Sequence, residues 1–260
     1  MLRPRLIPCL LIHDGGLVKT VQFSNPKYVG DPINVVRIFN EKEVDELAVF
    51  DIDATVRGRE PDYKMIANLA AESRMPLTYG GGINTLDQAR AIIGVGVEKV
   101  AISSAAVKSP ELISEIGHAV GSQSVVIVLD VKPRPGSEHY DVWTHNGTIN
   151  TGRTMIEVAS EAQSFGAGEI VANAIDKDGQ MKGYDLEMAT QIHAASSVPV
   201  TILGGAGTLS DISQLVRSFG VIGAGAGSMF VFKGVYRAVL INYPTPAERD
   251  RLLSACFQPA

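Results

Sequence analysis

Gly80-Gly81-Gly82-Ile83 ends one short apolar run, and 124 positions later (204 − 80) Gly204-Gly205-Ala206-Gly207 ends another. Ser104 returns as Ser228 at the same offset. The acidic stretch Asp51-Ile52-Asp53 is echoed by Asp176-Lys177-Asp178 at an offset of 125 (176 − 51). Three signals within one residue of a common register describe a duplicated half. The halves span about 1–122 and 123–245. No linker separates them, so residues 1–260 read as one domain.

Outward from these glycines, β-prone runs fall at 6–12, 46–52, 76–79, 99–103, 125–130, 169–175, 200–203 and 221–225. Amphipathic segments with roughly 3.6-residue spacing lie between them, including 62–72, 86–93, 155–165 and a last one at 229–240. Asp31-Pro32 and Ser109-Pro110 read as helix starts, and Gly94-Val95-Gly96 as a helix-ending turn. Eight alternations with nearly continuous apolar strands predict parallel strands covered on both faces. A (β/α)8 TIM barrel with a two-fold half-barrel repeat accounts for the duplication better than an open doubly wound sheet does. One interruption follows the fifth strand. Lys132-Pro133-Arg134-Pro135-Gly136 precedes a β-prone run at 140–144, then Asn146-Gly147 and Thr148-Ile149, which predicts a hairpin on the face where barrels keep their active sites.

Bulk composition narrows the class. The chain is 45% apolar with a net charge of −5, enough for a sizeable core and too acidic for nucleic acid as the main partner. No apolar run reaches membrane-spanning length and no signal-peptide pattern is present, so a cytoplasmic protein is expected. Cys9 and Cys256 form neither a disulfide framework nor a metal motif, and no cofactor or metal is expected.

Glycine-rich loops that lead into helices let backbone N–H groups approach a phosphate. Gly81, Gly82 and Ser104 would form one such cradle, and Gly205, Gly207, Gly225, Gly227 and Ser228 a second, so a ligand with two separated phosphates is expected. Asp130 ends the apolar run Val125–Leu129, where a carboxylate suits general acid/base work. Asp51, Asp53, Asp176 and Asp178 crowd the same rim. For Asp51 and Asp176, bonding to loop backbone competes evenly with catalysis.

The sequence then becomes specific. Asp14-Gly15…Val18-Lys19, Gly30-Asp31-Pro32, Asp45-Glu46-Leu47, Ala105-Ala106-Val107, Gly121-Ser122-Gln123, Asn150-Thr151-Gly152, Asp176-Lys177-Asp178-Gly179, Gly183-Tyr184-Asp185 and both glycine clusters resemble the HisF family, the cyclase subunit of imidazole glycerol phosphate synthase. The resemblance runs from about residue 3 to about 235, and only the tail beyond departs freely. It implies Lys19 and Asp130 as catalytic residues, Asp176 beside the phosphate-binding groups, and no cofactor. It also implies a HisH-like glutaminase partner beneath the barrel. Ammonia would enter through a gate of four charges, Arg5, Glu46, Lys99 and Glu169, with Gln123 and Glu98 on the docking face.

One departure dominates. Where the family ends its first strand with an aspartate, this chain has Leu11, and a leucine transfers no proton. Ser103, Asp53 and Leu203 also depart, from asparagine, a small hydroxyl residue and a hydroxyl residue respectively. The resemblance is therefore best to HisF paralogues of surface-polysaccharide clusters that make acetamidino sugars, where amidation needs ammonia but no ring closure. The acceptor would be a small phosphorylated or nucleotide-sugar substrate, with a sugar amidotransferase as a further partner. A true cyclase using Asp130 and Lys19, and a non-catalytic ammonia conduit or scaffold, are the competing readings.

Overall fold

A computed structural model describes residues 3–257. Eight parallel strands close a barrel: β1 (Arg5–His13), β4 (Leu47–Asp51), β5 (Leu77–Gly80), β6 (Lys99–Ile102), β7 (Val125–Pro133), β10 (Glu169–Ala174), β11 (Val200–Leu203) and β12 (Gly223–Ala226). Each pairs in parallel with the next, and β12 returns to β1 in the register Arg5 to Gly223. All eight runs expected from the sequence are present, within a few residues at their ends.

Two antiparallel hairpins stand on this frame. The expected one follows the fifth barrel strand as β8 (Tyr140–Thr144) and β9 (Ile149–Thr154). His145, Asn146 and Gly147 all take positive φ in its turn, as the Asn-Gly pair anticipates. The other, β2 (Gly16–Val21) and β3 (Ser24–Gly30), follows the first strand and was not anticipated. Its residues 24–28 are exposed and include a proline, so apolar alternation gave no signal there. Hairpins after the first and fifth strands repeat the half-barrel register once more.

The outer layer comprises α1 (Pro32–Glu41), α2 (Tyr63–Glu72), α3 (Leu86–Gly94), α4 (Ser104–Lys108), α5 (Glu111–Val120), α6 (Met155–Ser164), α7 (Leu186–Ala195), α8 (Leu209–Phe219) and α9 (Ser228–Val231). Local chemistry fixes several starts. The Asp31 side chain accepts from the Asn34 N–H with Pro32 in the first turn of α1, while Thr85/Gln88 and Thr208/Asp211 form equivalent capping boxes on α3 and α8. At α5 the expected start is present: the helix begins at Glu111 directly after Ser109-Pro110, with Pro110 in the cap position and the Ser109 carbonyl accepting from the Leu112 N–H.

The expected helix at 229–240 is corrected. After the single turn of α9 the chain forms β13 (Phe232–Lys233) and β14 (Ala238–Val239), joined through Gly234 at φ 74°. A helix there would have buried Val235 and Tyr236. They stand 96% and 95% exposed instead, and Gly234 at positive φ breaks the helical run. The last helix of the described residues is α10 (Pro246–Cys256), packed on α8.

Two apolar cores result. The larger lies between sheet and helices and contains Phe39, Ile66, Ile92 and Ile116, none exposed at all; burying one such side chain stabilises by about 1.5–3 kcal/mol. The smaller fills the barrel interior: Ile7, Cys9, Ala48, Ala101, Val126, Val128, Val171 and Leu203, with Phe50 against them. No helix among the described residues is long and apolar enough to cross a membrane.

Candidate active site

The barrel's register defines what stands where at its mouth. Asp130 lies opposite Asn173 on β10 and Trp143 on the β8 hairpin. Leu11 lies opposite Phe50 on β4 and Val18 on the β2 hairpin. The two residues therefore occupy equivalent positions on strands four places apart in an eight-strand ring, facing one another across it. Both line one cavity of about 870 Å³ at the strand C-termini.

Asp130 is held by a 2.8 Å bond from the Asn173 amide. Burial pushes its carboxyl up to about 6, opposed by that bond and reinforced by the negative charge of Asp178. Asp178 also lines the cavity. It accepts from the Thr20 hydroxyl at 2.6 Å and the Phe23 N–H at 3.3 Å, and burial raises its carboxyl above the ordinary range. Lys19, on β2, donates to the carbonyl of Cys9, and burial lowers its ammonium to about 8. Burial also pushes the Cys9 thiol up to about 12, which keeps it protonated and unreactive at neutral pH. On the barrel strands Leu11, Phe50 and Leu203 present apolar side chains, and a proton-carrying group on Leu11's side is Lys19 of the β2 hairpin. Ser103 lines the same space with its buried hydroxyl oxygen unpartnered.

The glycine loops flank this centre. Gly81 (φ 124°) and Gly205 (φ 103°) hold backbone conformations that disfavour any side chain, and a Cβ would strike Asp51 at one and Gly183 at the other. Ser103 and Gly227, 124 apart, precede the short helices α4 and α9 with similar backbone angles (φ −124°, ψ −89° and φ −103°, ψ −77°). Gly81, Gly82 and Ser104 line the cavity at one end, Gly205, Gly227 and Ser228 at the other. A Cβ at Gly227 would abut the Lys19 ammonium, which places that cation beside the second loop.

Three expected residues are not among those lining the cavity. Gly207 spends its N–H on Asp211, closing the start of α8. Gly225 lies beneath the Leu203 side chain, and its carbonyl accepts from the Tyr184 hydroxyl. Asp176 sits in the turn after β10 with one buried oxygen unpartnered, while Asp178, two residues on, faces inward. The sequence showed both carboxylates, but only the turn's geometry selects between them. Asn173 was missed outright; a polar residue inside an otherwise apolar strand was its signal. Asp51 uses one carboxylate oxygen to accept from the N–H groups of Asp53 and Ala54, which is loop capping. The β8–β9 turn reaches over the mouth: the Asn146 amide donates to the Ile52 carbonyl at 2.7 Å and Lys132 to the Gly147 carbonyl at 3.2 Å.

At the other end of the barrel, Arg5 pairs with Glu46 and, at 2.7 Å, with Glu169; Lys99 bridges the same two glutamates at 2.9 and 3.0 Å. Thr78 and Thr201 donate to Glu46 and Glu169. Burial alone would raise the Glu169 carboxyl, but Arg5 and Lys99 hold it below the ordinary range. The ring is closed and fully paired. Glu98 and Gln123 are exposed just before β6 and β7, at the same end.

His13, Asp14 and Asp53 bring three possible metal ligands within 4.8 Å of one another. Arg57 already meets Asp14 at 2.5 Å and Asp53 at 3.4 Å, so this is a charge-matched cluster behind the mouth.

Against this geometry, comparison with known proteins is informative. The profile described as "Histidine biosynthesis protein" matches residues 5–237. The chain is 53% identical over 253 residues to a Vibrio vulnificus protein provisionally named imidazole glycerol phosphate synthase subunit hisF3, covering 97% of each. It is 52% identical over 252 residues to a Leptospira borgpetersenii protein provisionally named the HisF subunit, covering 97% of this chain and 99% of that one. To the Limosilactobacillus fermentum protein named imidazole glycerol phosphate synthase subunit HisF, it is 40% identical over 233 residues, covering 90% and 89%.

Proposed function

We propose, for a chain that belongs to the HisF family of imidazole glycerol phosphate synthase subunits, that its own task is amidation rather than ring closure. It would use ammonia released by a HisH-like glutaminase docked at the Arg5–Glu46–Lys99–Glu169 end, in the biosynthesis of a surface-polysaccharide sugar. The observation that carries this reading is Leu11 at the position equivalent to Asp130. Ring closure with carbon–nitrogen cleavage needs two proton-transferring groups in complementary states. Here one side supplies Asp130, its carboxyl near 6, while Leu11 leaves the facing strand position without a carboxylate and Lys19 of the adjoining hairpin as a proton-carrying group on that side.

Addition of ammonia to an acceptor carbon asks for less. Asp130, ionised above pH 6, can take the proton from the incoming nitrogen and return it to the acceptor oxygen, which leaves as water. The interior between ring and cavity supports a neutral passenger. Ile7, Ala48, Ala101 and Val126 offer no replacement for the water an ammonium ion would lose, whereas ammonia loses little. The closed ring must part for each passage, and the partner would supply that opening. At the mouth, the loops of Gly81, Gly82 and Ser104 and of Gly205, Gly227 and Ser228 would hold a phosphorylated substrate.

The proposal is tested by supplying ammonium chloride with the family's bisphosphate substrate. Little imidazole glycerol phosphate should form, while co-expression with a HisH-like glutaminase from its own genome should give a stable heterodimer. A cyclisation rate typical of the family would return the chain to histidine synthesis. If no glutaminase from its own genome binds or is stimulated, ammonia use loses its support.

A further inference from the structure

The cavity treats its two ends differently. At the second loop its lining ends with Gly205, Gly227 and Ser228. Beyond them, the residue 124 positions after Lys108 is Phe232, 6% exposed and covered by the Lys27 ammonium 5.1 Å from its ring. That end is shut. At the first loop the cavity runs on past Gly82 and Ser104 into a side groove between the start of α2, the start of α3 and the end of α4. Arg59, Glu60, Tyr63, Asn84, Asp87 and Lys108 line it.

This lining has two cations, two carboxylates, an amide and a phenol, so it suits neither a lipid nor a bare anion. The carboxylates and the amide match the hydroxyl groups of a sugar ring, and Tyr63 offers it a face. Lys108 and Arg59, the latter also 3.6 Å from the Asp53 carboxylate, are the groove's charges for a phosphate. Resting on the phosphate-loop reading above, we infer that the first loop holds a phosphate linked onward on both sides. A second phosphate would follow it and lead into a hydroxyl-bearing ring in the side groove, while the second loop takes a terminal phosphomonoester. The substrate class is thereby a diphosphate-linked sugar or nucleoside derivative rather than a molecule ending in monoesters at both ends.

Ribose 5-phosphate and ADP-ribose make a direct comparison, since the second continues the first through another phosphate into a ring. Titration calorimetry of the full chain at fixed ionic strength should show ADP-ribose binding about tenfold more tightly, the effect of one charge-assisted contact. Lys108→Glu and Arg59→Ala should each remove most of that advantage and leave ribose 5-phosphate within twofold. Both positions are exposed, so the fold should survive, as a thermal melt would verify. Equal binding of the two ligands, or an advantage untouched by both substitutions, overturns the groove and leaves the phosphate loops standing. If ribose 5-phosphate and inorganic phosphate both fail to bind, the loops themselves are misread and the inference falls with them.

Discussion

Replacing Leu11 with aspartate restores the missing proton carrier, and the structure sets what that costs and returns. Leu11 is half-buried and lines the cavity with Phe50 and Leu203. Removing its apolar side chain forfeits about 1–2 kcal/mol, a part of the full burial value. Burial beside Phe50 and Leu203 should raise the incoming carboxyl as it raises Asp130 to about 6, with the Lys19 ammonium opposing the rise. Two units above the ordinary value correspond to about 3 kcal/mol when the group is ionised at neutral pH. Leu11→Asp should therefore lower unfolding free energy by about 4 kcal/mol at pH 7.5, and by less at pH 5, where the new group is protonated. Urea denaturation at the two pH values measures this. The same change should raise imidazole glycerol phosphate formation from the family substrate and saturating ammonium by about tenfold. That falls short of the 10²–10⁴-fold a positioned acid or base supplies, because the Ser103 hydroxyl and the Leu203 side chain still shape the pocket differently. Parent, Leu11→Asp and Asp130→Asn are assayed side by side. A parent rate typical of the family, abolished by Asp130→Asn, would refute the reasoning. A Leu11→Asp protein that is as stable as the parent would show that the wall is wetter than its lining implies.

Asp130→Asn should itself be informative in folding. Because the folded carboxyl sits near 6 and the unfolded one near 3.9, the native state binds the extra proton between those values; stability falls as pH rises through that window and stays lower above it. Removing the charge should raise stability at pH 7.5 by about 2–3 kcal/mol and flatten the profile between pH 4 and 6, and parallel slopes for parent and variant in urea titrations would contradict the burial argument. Lys99→Met leaves Glu46 and Glu169 sharing Arg5 alone and should cost about 3 kcal/mol by the same assay, with a loss under 0.5 kcal/mol showing that the ring is solvated. Crystals grown in phosphate should hold an anion at Gly82 and Ser104 and a weaker one at Gly205 and Ser228. Gly81→Ala, forced into φ 124° against Asp51, should abolish the first and spare the second.

The sequence alone determined the barrel. Strand periodicity, the 124-residue echo of Gly80 in Gly204, and the Asn146-Gly147 turn are local signals, and each reports backbone geometry that no distant contact needs to supply. Leu11 was singled out against Asp130 only through the resemblance to the HisF family, which has an aspartate at that strand end. The β2–β3 hairpin and the hairpin at 232–239 escaped the sequence reading, since β3 and the turn at 234–236 present exposed residues whose pattern follows no buried face. Within the site, only tertiary structure chose Asp178 over Asp176, gave Asp130 its Asn173 partner, and hid Gly225 beneath Leu203. Those outcomes depend on which way a turn faces and on which strands become neighbours when the barrel closes. The same closure turns four charges scattered from Arg5 to Glu169 into a single paired ring.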